Sequence, residues 1–260
     1  MWKHGHLHCR IKRTTNHRCR SFDLVSDTGE ATVTSSLTFT SANWDTAQTV
    51  TLTGADDDIV DGSVTSTITV AVNDGSSDDN FDSVADQTVS VTTADDDVAG
   101  FTIAETNGST GVDESGNTDT FTVVLNAQPT TDVVLSISSS DTGEATATSS
   151  LTFTTANWNS PKTVTITGVD DDIIDGTQNS TITVSIIDGI SDDAFDSVAD
   201  QTVSVTTADD DVAGFTVTET EGSTGVSESG STDLFAIVLN TQPSSDVVLS
   251  ITSSDTGEAT

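Results

Sequence analysis

Runs of aspartate recur along this chain where apolar segments end, and carboxylates grouped in this way can bind a divalent cation. Asp170–Asp172 follows one apolar segment and precedes Asp175, while Asp209–Asp211 follows another. Adjacent carboxylates repel by about 1 kcal/mol or more per close pair unless a cation lies among them. Calcium accepts about six to eight oxygen ligands in flexible geometry, whereas magnesium prefers fewer carboxylates and keeps its waters. The residue types favour calcium, and the alternative is that the runs only keep an acidic polymer soluble.

The charge of the chain limits its partners. It carries a formal charge of −35 over 260 residues, and six of its seven basic residues lie within residues 1–25. From residue 26 onward the single basic residue is Lys162. Nucleic acids and anionic membranes both need Lys or Arg to replace counterions, and no apolar run is long enough to cross a bilayer. We therefore expect cations as partners, with no nucleic acid and no membrane insertion.

The chain repeats itself every 114 residues. The string Asp-Thr-Gly-Glu-Ala-Thr begins at Asp27, Asp141 and Asp255, and Ala-Asp-Asp-Asp-Val-Ala-Gly-Phe-Thr begins at Ala94 and Ala208. A repeat of this length is a domain in its own right. The predicted division is an incomplete repeat over residues 26–98, a complete repeat over residues 99–213 and a truncated third repeat over residues 214–260.

Apolar residues alternate along short segments of the complete repeat, which is typical of half-buried strands. Seven such segments separated by turn residues predict an all-β fold of tandem Ig-like antiparallel β-sandwich domains with about seven strands each. The segments are 101–103, 121–125, 133–137, 151–153, 164–166, 182–186 and 203–205.

Residues 1–25 differ from everything that follows. They hold all four His and both Cys, which suggests zinc, but the spacing matches no zinc framework. Allowed codons for Thr14–Ser21, read one nucleotide later, give the sequence of Gln128–Leu135. The correspondence extends from Trp2 to Val25. We therefore expect residues 1–25 to be an out-of-frame translation of the repeat and not a domain.

Three acidic motifs recur and carry a family resemblance. The motifs are Val112–Gly116, which contains Glu114 and recurs with Glu228, then Gly168–Gly176, and then the junction Asp209–Phe215. They resemble those of Calx-β domains, the calcium-binding β-sandwiches of sodium/calcium exchangers and many bacterial surface proteins. The resemblance covers the chain from Ser26 onward.

The resemblance implies a set of calcium ligands at the ends of strands. In the complete repeat these are Glu114, Asp170, Asp171, Asp175, Asp209, Asp210 and Asp211; in the first copy Asp56, Asp57, Asp61, Asp95, Asp96 and Asp97; and in the third Glu228. The family's Gly-x-Asp-Tyr segment is replaced by Asp141–Thr146, which leaves open whether that loop supplies a ligand. Asp192, Asp193 and Asp196 are expected to be solvated loop residues, with a second metal site as the alternative.

The sequence favours a structural role over catalysis. After residue 25 there is no His and no Cys, and neither a Gly-x-Ser-x-Gly elbow nor a phosphate-binding glycine loop occurs, so we expect no enzyme. The hypothesis is a calcium-stiffened stalk of an extracellular or cell-surface protein, bacterial and secreted, acting in adhesion or matrix. Its partners would be neighbouring repeats and surface glycans or matrix. The alternatives are a carbohydrate- or surface-binding module, although Trp44 and Trp158 are expected to pack, and a calcium-sensing regulatory domain.

Overall fold

The computed structural model describes residues 19–34 and 36–258, and of residues 19–25 it describes the backbone alone. The chain divides into two compact units, Met1–Asp97 and Val98–Thr260. Among the described residues, strands dominate and the helical segments are short 3-10 turns. These turns are Asp74–Ser76, Asp79–Phe81, Thr106–Gly108, Asp188–Ile190, Asp193–Phe195 and Thr220–Gly222.

The complete repeat contains nine strands that form two sheets. The strands are β7 (Phe101–Glu105), β8 (Thr110–Asp113), β9 (Thr118–Leu125), β10 (Val133–Ser139), β11 (Ala145–Ala147), β12 (Ser150–Phe153), β13 (Lys162–Gly168), β14 (Gln178–Ile186) and β15 (Gln201–Ala208). One sheet has the order β12-β10-β14-β15-β8 and the other β11-β13-β9-β7. All pairings are antiparallel except that β8 runs parallel to β15. The predicted all-β sandwich is confirmed, and all seven predicted segments lie in strands.

Period-two alternation builds the core between the two sheets. Phe121 and Ile166 point inward from one sheet, Leu135 and Ile182 point inward from the other, and all four are fully buried. Burying each such side chain stabilises the fold by about 1.5–3 kcal/mol. The polar residues between them in each strand remain partly or fully exposed, as the alternation predicts.

β8 and β11 were not predicted as separate strands. They are four and three residues long, which is too short for a period-two pattern to be recognised. Each lies next to an acidic residue, Glu114 after β8 and Glu144 before β11, at the same end of the sandwich.

The first unit repeats the pairing of the complete repeat. Its strands are β1 (Cys19–Val25), β2 (Ala31–Val33), β3 (Thr38–Phe39), β4 (Leu52–Gly54), β5 (Val64–Val72) and β6 (Gln87–Thr93), with sheet orders β3-β1-β5-β6 and β2-β4. Val64 pairs with Thr93 as Gln178 pairs with Thr207, at the 114-residue interval seen in the sequence. The structure therefore repeats with the period of the sequence.

The segment predicted to be out of frame falls mostly outside the described residues. Residues 1–18 are among those that the structure does not describe, including His4, His6, His8, Cys9 and His17. The backbone of β1 pairs with β5 in the register by which β10 pairs with β14. The reading-frame hypothesis and the proposed repeat boundaries stay predictions.

The third repeat begins in the second unit with one strand pair. β16 (Phe215–Glu219) and β17 (Phe235–Leu239) are antiparallel, with Phe215 opposite Leu239. This pair occupies the places that β7 and β9 hold in the complete repeat.

Candidate metal centre

Strand direction brings the acidic residues of the complete repeat to one end of the sandwich. β8 and β15 run parallel, so Glu114 and Asp209, which directly follow them, lie side by side. The amide of Glu114 continues this pairing by donating to the Ala208 carbonyl at 3.1 Å. β14 runs antiparallel to β15, so Asp175, in the loop before β14, lies at the same end.

The other sheet contributes two further acidic segments. β13 ends at Gly168 and leads into Asp170–Asp172. β11 is the antiparallel partner of β13, and Glu144 directly precedes β11. The Val169 amide donates to the Glu144 carbonyl at 2.9 Å, which fixes the two segments side by side. We call this end of the complete repeat the acidic rim; it comprises Glu114, Glu144, Asp170, Asp171, Asp172, Asp175, Asp209, Asp210 and Asp211.

Gly168 lets the two sheets approach each other at the acidic rim. A Cβ atom at this position would lie 1.9 Å from the carbonyl oxygen of Asp113, closer than any side chain allows. The Gly168 amide also donates to the Asn117 carbonyl at 3.1 Å, in the turn after Glu114. A glycine at the end of β13 is therefore what allows β8, and with it Glu114, to sit against the other sheet.

Two groups of carboxylates converge closely enough to share cations, and both include Glu114. Glu114 groups with Asp209 and Asp211, and separately with Glu144 and Asp175. Within each group one oxygen from every residue lies within 4.8 Å of the others. Glu114 is the member that the two groups have in common.

Glu114 is buried in a strongly acidic environment. It is 1 % exposed. Burial, together with the charges of Asp209 and Asp171, raises the pKa of Glu114 to about 7, although a hydrogen bond from the Asp210 amide at 3.4 Å opposes the rise. Without a cation, the folded repeat therefore resists ionisation of this side chain.

Glu144 and Asp211 each bury a carboxylate oxygen that has no partner. Neither Glu144 Oε2 nor Asp211 Oδ2 accepts a hydrogen bond, and Glu144 is 9 % exposed. Burial raises the pKa of Glu144, with Asp175 adding to the effect, and burial with Asp172 raises that of Asp211. Buried oxygens without donors are costly unless a cation coordinates them, so these two atoms fit a metal ion. An all-carboxylate donor set fits a hard cation such as calcium.

Hydrogen bonds to Asp209 hold two segments of the acidic rim together without an ion. Asp209 Oδ2 accepts from the Gly176 amide at 2.7 Å and Oδ1 accepts from the Asp211 amide at 2.8 Å. These bonds lower the pKa of Asp209. Gly176 adopts a φ of 74°, which favours glycine, and this turn presents its amide to Asp209. Asp209 thus stays ionised and ties the loop before β14 to the segment after β15.

The structure brings some predicted ligands together and leaves others apart. Glu114, Asp175, Asp209 and Asp211 belong to the converging groups, whereas Asp170, Asp171 and Asp210 belong to neither. Asp171 is near enough for its charge to raise the pKa of both Glu114 and Glu144. Its Oδ1 accepts from the Ile173 amide at 2.6 Å.

Glu144 was not among the ligands predicted from the sequence. It is the acidic residue that the Asp141–Thr146 loop places in the acidic rim, within one of the two converging groups. A signal was present, because Asp-Thr-Gly-Glu-Ala-Thr recurs whole and puts Glu30 and Glu258 at the same place in the other copies.

The first copy forms a similar acidic pocket within its own unit. Its acidic lining residues are Glu30, Asp56, Asp57, Asp61, Asp95, Asp96 and Asp97, which include all six ligands predicted for this copy. Asp95 repeats the role of Asp209, since its Oδ2 accepts from the Gly62 amide at 2.7 Å. Burial, with Asp57 and Asp95, raises the pKa of Asp61.

Glu228, predicted as the ligand of the third copy, is exposed. Among the described residues it belongs to neither converging group.

The expectation that Asp192 is a solvated loop residue is wrong. It is 5 % exposed, its Oδ2 accepts from the Thr130 and Thr131 amides at 2.6 and 2.8 Å, and its Oδ1 accepts from the Ala194 amide at 3.0 Å. Burial alone would raise the pKa of Asp192, but these bonds and one from the Thr130 hydroxyl lower it. Its oxygens are occupied by structural hydrogen bonds, while Asp193 and Asp196 are exposed as expected.

The two repeated tryptophans differ in their surroundings. Trp158 is half-buried, and its carbonyl accepts from the Leu125 amide at 3.2 Å. Trp44 is 71 % exposed, so the expectation that it packs is wrong.

Within the described part of the chain, no helix has the length and apolar character needed to cross a membrane. No protein-family model matches the chain, and no curated protein matches it.

Several solved structures are similar to parts of the chain. The apo-form Calx CBD1 domain has 17 % identity and a TM-score of 0.32, covering 43 % of this chain and 98 % of that one. Domains 4 and 5 of the S-layer protein SbsC have 16 % identity and a TM-score of 0.33, covering 72 % and 70 %. Domains 1–6 of SbsC have 16 % identity and a TM-score of 0.36, covering 84 % and 28 %. Because these TM-scores are low, the β-sandwich assignment rests on the strand pairing itself.

Proposed function

We propose that the complete repeat binds calcium at its acidic rim and acts as a structural module of an extracellular or cell-surface protein. The observation that carries this proposal is the pair of buried, unpaired oxygens on Glu144 and Asp211. Each leaves a carboxylate without the hydrogen bonds that it has in water, which costs free energy. A cation placed among the carboxylates offsets that cost and the repulsion together.

Two calcium ions that share Glu114 account best for the geometry. One ion would lie among Glu114, Asp209 and Asp211, and the other among Glu114, Glu144 and Asp175, the two groups of converging oxygens. Calcium tolerates a carboxylate-rich site of irregular geometry, whereas magnesium needs near-octahedral geometry and retains waters. Zinc sites favour His and Cys, and neither occurs after residue 25.

The acidic rim lies where one repeat leads into the next. Two residues separate Asp209–Asp211 from Gly214, and β16 follows directly, so an ion that orders this segment also restricts the joint between the repeats. A series of such modules would form a stalk that is stiff in calcium and looser without it. Extracellular modules bind calcium with a Kd of about 0.1–1 mM. Sites of this affinity would be occupied outside a cell and empty inside it.

A thermal melt of the whole chain in EDTA, in 10 mM calcium and in 10 mM magnesium tests this function. With an affinity of about 0.1–1 mM, 10 mM calcium stabilises a native-only site by about 1.4–2.7 kcal/mol. For a domain of about 100 residues this raises Tm by about 5–15 °C. We expect this rise in calcium and a smaller one in magnesium. Identical melts in EDTA and calcium would remove the proposal.

A further inference from the structure

The acidic loop after β13 contacts the following repeat as well as its own. The Gln242 amide donates to the Asp172 carbonyl at 2.6 Å, and Ile173 and Gln242 form a parallel β-bridge. Gln242 lies three residues after the end of β17, in the third repeat. Because both bonding groups are backbone atoms, the contact depends on the position of the chain and not on side-chain chemistry.

The turn that carries Gln242 is fixed to the start of its own repeat. The Asn240 amide donates to the Gly214 carbonyl at 2.9 Å, and the Thr216 hydroxyl donates to Asn240 Oδ1 at 3.0 Å. A Cβ atom on Gly214 would lie 2.7 Å from Asn240 Nδ2, so the Asn240 side chain packs closely against Gly214. Gln242 is therefore presented by a braced turn and not by a free loop.

The complete repeat thus has two acidic segments attached to the repeat that follows. Asp209–Asp211 is joined to it covalently, and Asp170–Asp172 is joined through Gln242. Ordering loop backbone costs conformational entropy, and a bond that holds the loop beforehand lowers the cost left for a ligand.

We propose that the following repeat docks on the Asp172–Ile173 backbone through Gln242 and thereby raises the calcium affinity of the preceding repeat. The inference rests on the proposed calcium site. The coupling is reciprocal: whatever docking adds to calcium affinity, calcium adds to docking. The partner of this edge is the turn after β17 of the following repeat, which supplies one backbone amide.

Calcium titration of the 260-residue chain and two Gln242 variants tests the coupling. Gln242→Pro removes the donating amide, whereas Gln242→Ala keeps it and serves as the matched control. Loss of one backbone hydrogen bond predicts an affinity about three- to tenfold weaker in Gln242→Pro and unchanged in Gln242→Ala. Equal affinities in the wild-type chain and Gln242→Pro would overturn the inference and leave the calcium site standing. A wild-type chain that binds no calcium would overturn both.

Amide exchange at Gln242 gives a readout that needs no substitution. In the wild-type chain we expect the Gln242 amide to be protected, and calcium to slow its exchange about three- to tenfold. Exchange at the rate of an unstructured peptide, or protection that calcium does not change, would overturn the inference.

Discussion

Replacing Glu114 by glutamine is expected to stabilise the metal-free repeat at alkaline pH and to weaken its calcium binding. Glu114 is 1 % exposed, and burial together with the charge of Asp209 raises its pKa from 4.5 to about 7. Glutamine has nearly the same shape and keeps an accepting oxygen for the Asp210 amide, but it cannot ionise. The variant therefore removes the charge and leaves the packing.

The raised pKa of Glu114 makes the stability of the metal-free repeat depend on pH. Glu114 has a pKa of about 7 in the folded repeat against its ordinary pKa of 4.5, so the folded state binds more protons than the unfolded state between these pH values. Metal-free stability then falls as pH rises from about 4.5 to 7. At about 1.36 kcal/mol per pKa unit, the loss reaches up to about 3 kcal/mol at pH 8 and stays below about 1 kcal/mol at pH 5. Glu114→Gln cannot ionise and escapes this loss. Its free energy of unfolding without metal should therefore exceed that of the wild type by the same amount and with the same pH dependence.

Urea unfolding in EDTA at pH 5 and pH 8, followed by the methyl NMR signals of Val123 and Ile182, measures the difference. Both side chains are fully buried in the complete repeat, so their signals report this repeat alone. Glu228→Gln is the matched control, because it changes the same motif at an exposed position and should alter nothing. In 10 mM calcium the advantage of the variant should shrink, since ionised Glu114 is the form that binds. Equal stability of Glu114→Gln and wild type at pH 8 in EDTA would refute the reasoning, as would an advantage that persists undiminished at pH 5.

Three further substitutions separate the parts of the account. Gly168→Ala should cost about 3 kcal/mol in urea unfolding, because the new Cβ meets the β8 backbone at 1.9 Å, whereas Gly54→Ala, whose nearest neighbour is at 3.9 Å, should be tolerated. Asp175→Asn should weaken calcium binding tenfold or more by titration, and Asp170→Asn, which lies outside both converging groups, should have a smaller effect. Asp192→Asn should cost about 1–3 kcal/mol equally in EDTA and in calcium, since its carboxylate accepts structural hydrogen bonds; a loss confined to calcium would place it in a metal site instead.

The sequence predicts the sandwich well because its strands alternate clearly. Segments such as Phe121–Leu125 and Ile182–Ile186 show period two over at least five residues, and both lie in long strands. β8 and β11 escape prediction because three or four residues cannot display a period. The parallel pairing of β8 with β15 also escapes it, since that contact joins segments about 95 residues apart and leaves no local signal.

The candidate site is only partly visible in the sequence. Aspartate runs at strand ends identify the end of the sandwich, but they do not distinguish Asp170, which is exposed, from Asp209, which braces a loop. Glu144 is hidden because its loop departs from the pattern of the resembling family. Asp192 is misjudged as solvated because its donors, Thr130 and Thr131, lie 62 and 61 residues away in the chain.

Isothermal titration of calcium into the wild-type chain and into Glu144→Gln tests the central claim most directly. Glu144 carries a buried oxygen without a partner, and it belongs to only one of the two converging groups. We expect the wild-type chain to release or absorb heat with a Kd of about 0.1–1 mM, and we expect Glu144→Gln to bind one calcium ion fewer. A wild-type chain that gives no heat, or a variant with an unchanged isotherm, would contradict it.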